Sequence, residues 1–136
     1  MAEAIRWRSI GGALVSYFEP ATRPSDDLVG RWHAALIDPA IAICLAASLG
    51  PIQPSPDHRR ATTRILLERS LRVVIVSDDR IDRAMAKLLA WMGVPTRACG
   101  WAQLDELASE LIGDEQADEL SNALVELREQ GSIRLA

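Results

Sequence analysis

The sequence predicts an α/β fold, a mixed sheet of four or five strands covered by helices, with one extra helix at the C-terminus. Three observations predict it. The apolar runs at residues 40–47 and 72–76 lack polar alternation, as strands covered on both faces do. Amphipathic stretches with helical spacing follow each of them. Gly11-Gly12 separates two strand-like segments near the start, which is a hairpin signal. Strands alternating with helices of this length imply a sheet with helices packed on it.

The elements follow in order. Residues 5–10 alternate apolar and polar positions, as a half-buried strand does, and residues 13–18 supply its hairpin partner. Ser25 is an N-cap, with Asp26 and Asp27 in the first turn, where the helix dipole favours negative charge. Leu28, Val29, Trp32, Ala35 and Leu36 form the inner face of that helix, and Pro39 closes it. After the 40–47 strand, a loop with Pro51, Pro54 and Pro56 leads into a second helix that turns Ile65 and Leu66 inward. Arg59, Arg60, Arg64 and Arg69 decorate its other side.

Ser77, Asp78 and Asp79 cap a third helix after the 72–76 strand. Its Ile81, Met85, Leu88, Leu89 and Met92 fall on one stripe, and Gly93 is a natural C′ residue. Residues 94–98 read as an edge strand, with Pro95 near its start. A fourth helix carries Leu104, Leu107, Ala108, Leu111 and Ile112 and stops at Gly113. A fifth, 114–130, has a narrower seam of Ala117, Leu120, Leu124 and Leu127. Gly131 is expected to end it and residues 132–135 to add a short strand. The 136 residues fit one domain, with a core over about 4–112 and a helical extension over about 114–136 that packs at home or on another chain.

Composition excludes several function classes. Hydrophobic residues make up 49% and charged residues 25%, an ordinary globular balance. A net charge of −4 leaves no basic excess to neutralise a phosphate backbone, which argues against nucleic acid as the main partner. The longest apolar run is too short to cross a bilayer, so no membrane is expected. Nothing near the start reads as a signal peptide, and the cytoplasm is the expected location. Cys44 and Cys99 read as buried small hydrophobes.

No catalytic, metal or cofactor signature emerges. His33 and His58 have no ligand-type neighbour at close helical spacing. Ser55, Asp57 and His58 are too nearly consecutive to form a nucleophile–base–orienter line. No Gly-x-Ser-x-Gly elbow or phosphate-binding glycine loop is present. Residues 72–111 resemble the start of a response-regulator receiver, but the chain after residue 112 is too short to complete one.

From residue 40 to 112 the order of elements resembles the STAS domain of anti-sigma-factor antagonists and sulphate-transporter tails. That family places Asp-Ser-Ser/Thr-Gly before the second helix, where this chain has Pro54-Ser55-Pro56-Asp57. The resemblance implies a non-enzymatic protein-interaction module in bacterial regulation, with an anti-sigma factor or serine kinase as partner. It also implies a phosphorylation site at Ser55, although the flanking acid and glycine are missing. Asp57, His58 and Arg59 would then form the partner-binding surface beside it. A phosphate there would meet the free N–H groups and dipole of the helix start. Ser55 can equally serve as a plain N-cap, which Pro56 at the first helical position favours. A small-molecule pocket near residues 50–56, and homo-oligomerisation through the sheet edge or terminal helix, are the alternatives.

Overall fold

The computed structural model describes residues 3–20, 22–52 and 54–135, with the backbone alone for 131–135. Strands β1 (Ile5–Ile10), β2 (Ala13–Phe18), β3 (Ile43–Ala47), β4 (Arg72–Val76) and β5 (Thr96–Cys99) form a sheet in that spatial order. β1 pairs antiparallel with β2, and every other pairing is parallel. Gly11 and Gly12 both have positive φ, 55° and 82°, which a two-residue turn of this twist requires. The helices are α1 (Asp26–Leu36), α2 (Pro56–Glu68), α3 (Arg80–Trp91), α4 (Leu104–Ile112) and α5 (Asp114–Leu135). The α/β class read from the sequence is the fold observed.

Strand register sorts the residues onto two faces. Leu14, Cys44 and Val73 lie side by side on one face, as do Ser16, Ala46 and Ile75. That face is covered by α1, α2 and α3, through Leu28, Val29, Trp32, Leu36, Leu66 and Ala86. Ala13 with Ile43, Val15 with Leu45 and Val74, and Tyr17 with Ala47 and Val76 form the opposite face. Leu104, Leu107 and Ala108 of α4 cover it together with Leu120, Leu124 and Leu127 of α5. The seam of α5 is therefore core, and the helix expected as an extension completes the second layer.

Two expectations fail for identifiable reasons. Residues 132–135 continue α5 as helix rather than forming a strand. The seam already holds α5 on the sheet, and one glycine at a propensity cost of about 1 kcal/mol does not stop a helix so anchored. Arg6, which the alternation places on a polar face, is only 7% exposed because α5 covers that face. Its Nε donates to Leu127 O at 2.7 Å, Nη1 to Glu3 O at 2.7 Å and Nη2 to Glu19 Oε2 at 3.0 Å. The guanidinium also lies 4.9 Å from the Tyr17 ring centroid. A buried cation so fully partnered ties β1 to the end of α5.

The two layers predict different sensitivities. Leu120→Ala, at a fully buried α5 position, is expected to cost about 2–5 kcal/mol in urea denaturation. Trp91→Ala, on an 86% exposed residue, is expected to change stability by less than about 0.5 kcal/mol.

Candidate functional site

The rotation of α3 about its own axis creates the main surface feature. The stripe of Ile81, Met85, Leu88, Leu89 and Met92 turns only Leu89 onto the core, where it packs half-buried. The residues α3 buries fully are Asp82 and Ala86, and Met85 and Leu89 are half-buried. Ile81 is 62% exposed, and Leu88, Trp91 and Met92 are also exposed. Asp82 accounts for this orientation. Its Oδ2 accepts from Ser77 Oγ at 2.8 Å and its Oδ1 accepts from the Ile52 N–H at 2.9 Å. Ser77 Oγ in turn accepts from the Asp79 N–H at 3.1 Å. A carboxylate committed to these buried partners holds its side of the helix inward. Ile81 sits about 100° further round the axis.

α2 is held from its other side. Ser55 Oγ accepts from the His58 N–H at 3.1 Å, the N-cap bond expected of it. His33 Nε2 lies 2.7 Å from Thr62 Oγ1, whose hydroxyl donates to His58 O at 2.8 Å. The nitrogen is thus the donor, and the chain of bonds joins α1 to the α2 backbone. Burial, and secondarily the nearby His58, pushes His33 below its ordinary value. Arg69, just past α2, donates to Leu36 O at 2.9 Å and Asp38 O at 3.0 Å, satisfying carbonyls at the end of α1.

Fastened to α1, α2 stands apart from α3 and leaves a trough of about 690 Å³ between them. Its floor is the sheet at Cys44, Ala46, Val73 and Ile75. Cys44 and Ala46 are too small to fill the space beneath the helices, which gives the trough its depth. Burial pushes the Cys44 thiol up to about 12, so it is a neutral apolar lining group. Thr63, Leu66 and Leu67 form the α2 bank, and Met85, Leu88 and Met92 the α3 bank. Arg59, Arg60 and Arg64 edge the α2 side, and Ile52 and Pro54 of the proline loop close one end.

The sequence-derived candidates fall in different places. Arg59 edges the trough. Ser55 lies at the same end, half-buried, with its hydroxyl engaged as the cap. Asp57 faces solvent and pairs with Arg60. His58 turns toward α1, its Nε2 2.6 Å from Asp26 Oδ1, and lines a small cavity that adjoins the trough through Phe18, Trp32, Ile52, Pro54 and Thr62. The four residues thus cluster at the start of α2, with Arg59 on the trough side, His58 on the α1 side and Asp57 toward solvent. Trp101 donates from Nε1 to Ser48 O at 2.8 Å, and Arg128 stacks 4.8 Å from its ring centroid, which is a structural use. Both cysteines are buried and unpaired with each other. Among the described residues no three His, Cys, Asp or Glu side chains converge as a metal site. No described helix is long and apolar enough to cross a membrane.

The pocket expected near residues 50–56 corresponds to one end of the trough, at Ile52 and Pro54, whereas its length along α3 was not legible because helical spacing does not say which way a stripe faces. Two signals in the chain point to the trough. Asp82 lies at the first turn beside Ile81, and small residues occupy the trough-facing positions of β3 at Cys44 and Ala46. No family model, curated protein or solved structure matches the chain.

Asp82 should therefore control both the loop and the pH response. Burial pushes its carboxyl above the ordinary aspartate value of about 3.9. Above that value the unfolded chain has lost a proton that folded Asp82 still holds. Stability therefore falls as pH rises through the window up to the raised folded value. Asp82→Asn keeps an acceptor for the Ile52 N–H and is expected to remove this slope relative to wild type. Asp82→Ala leaves Ile52 and Ser77 without their partner and is expected to cost about 1–3 kcal/mol in urea denaturation.

Proposed function

We propose that the protein is a non-enzymatic interaction module of bacterial regulation that binds a protein partner in the cytoplasm through α2, α3 and the trough between them. The observation that carries this reading is the exposed stripe of α3, Ile81, Leu88, Trp91 and Met92, continued by exposed Leu67 across the trough. Contiguous apolar surface of this kind marks contact sites, and Trp and Met are enriched at interface centres. The STAS-like order of elements supports the same class of function, with an anti-sigma factor or serine kinase as the partner type. Asp57, His58 and Arg59 then lie at the margin of the contact surface.

Ser55 is the proposed control point. It sits at the N-terminus of α2, beside Pro54 at the end of the trough. A phosphate on it would be held by helix N–H groups and would place about −1.5 to −2 charges at the rim. The second reading is a small apolar ligand in the trough, favoured by its depth and by a volume within the usual range for ligand sites, roughly 300–1,000 Å³.

Baits of wild type, Leu88→Glu, Ser55→Asp and a distant control, Glu110→Gln, would be compared in native-host lysate by quantitative mass spectrometry. A partner held by wild type and the control, and reduced about tenfold or more with Leu88→Glu, is expected for an anchor worth over about 1.4 kcal/mol. Equal capture by wild type and Leu88→Glu would overturn the surface. Loss with Ser55→Asp supports the switch, and retention there leaves a constitutive binder.

A further inference from the structure

We infer that the occupant of the trough is one acidic amphipathic helix of the partner protein. Its apolar side would lie over the floor and the α3 bank, and its carboxylates would face Arg59 and Arg64. This inference rests on the interaction surface proposed above and names what fits it.

The spacing on α3 is the first argument. Ile81, Met85, Leu88 and Met92 advance by four, three and four residues, the spacing of a seam that packs against another helix. An extended acyl chain requires no such spacing. Held in the trough, it would leave Ile81 and Trp91, which lie outside the lining, uncovered. Both helices that flank the trough run for at least 12 residues, about 18 Å, which matches an incoming helix of three turns. Methionines on the α3 bank adapt their shape to ridges of a second helix.

Charge supplies the second argument. The chain as a whole carries a net charge of −4. The charged residues that line the trough are nevertheless three basic ones, Arg59, Arg60 and Arg64, against one acidic, Glu68. Arg60 is engaged by Asp57, whereas Arg59 and Arg64 form no ion pair among the described residues. A basic rim beside an apolar trough complements an acidic amphipathic segment and disfavours a basic one. An anionic membrane would meet the same charges. A flat bilayer, however, contacts convex ridges and leaves a concave floor at Cys44 and Ala46 uncovered.

Two fluorescein-labelled synthetic peptides of about 14 residues would share one leucine stripe at helical spacing, with glutamate or lysine at the remaining positions. Titration with the full-length protein, read by anisotropy, is expected to show saturable binding of the glutamate peptide, about tenfold or more tighter than the lysine peptide. That binding is expected to weaken at least about threefold with Arg59→Ala plus Arg64→Ala and with rising salt, and to be lost with Leu88→Glu. Equal binding of both peptides, or binding of neither, overturns the acidic helix. Laurate displacing a bound dye while both peptides fail would assign the trough to an acyl ligand. Binding only to phosphatidylglycerol vesicles would assign it to a membrane. A lysate partner still lost with Leu88→Glu, alongside failed peptides, would overturn only the helix and leave the surface standing.

Discussion

The order of the strands constrains everything else in this protein. β2 to β5 lie in chain order and run parallel, so each connection must cross one face of the sheet. Successive crossovers of one hand, moving in one direction, place their helices on the same side. α1, α2 and α3 accordingly share one face. The opposite face, with Val15, Leu45 and Val74 at its centre, would be left in water. α4 and α5, which follow β5 in the described chain, close it. That requirement explains why a helix with a modest apolar seam is indispensable to the core, and why Arg6 is buried beneath its end.

The crowded face then divides unevenly. α1 packs closely over β1 and β2, where Trp32 meets Phe18 edge-on at 5.1 Å between ring centroids and donates to Ser16 Oγ at 3.0 Å. α2 is drawn toward α1 by Arg69 and by the His33–Thr62 link. α3 is held at its start by Asp82 over β4 and the proline loop. Each helix is satisfied by polar bonds at one point, and the space left between α2 and α3 becomes the trough. Burying a carboxylate is costly, and it persists here because a hydroxyl and a backbone N–H satisfy it. In return Asp82 sets the rotation that leaves Ile81, Leu88 and Met92 exposed.

This arrangement also separates the roles of the residues at the start of α2. The cap, the His58 contact with Asp26 and the Asp57–Arg60 pair are local fastenings of a helix end. Arg59 and Arg64 form no ion pair among the described residues and edge the apolar surface. A charge added at Ser55 would act at the one place where the helix end, the proline loop and the trough meet.

Most of the fold was legible in the sequence. The doubly apolar strands β3 and β4, the Gly11-Gly12 hairpin, the caps at Ser25, Ser55 and Asp79, and the stop at Gly113 are local features, set by side-chain period and backbone preference. Local rules also gave the order of elements and hence the α/β class. They could not decide which way an amphipathic helix turns its stripe, because hydrophobic period is the same toward a core and toward a partner. That choice for α3 depended on Asp82 finding Ser77 and the Ile52 N–H, 5 and 30 residues away. The continuation of α5 past Gly131, the burial of Arg6 and the depth of the trough depended likewise on contacts between distant segments. Side-chain period and backbone preference fix the elements and their caps, and contacts between distant segments select which apolar surfaces those elements leave open.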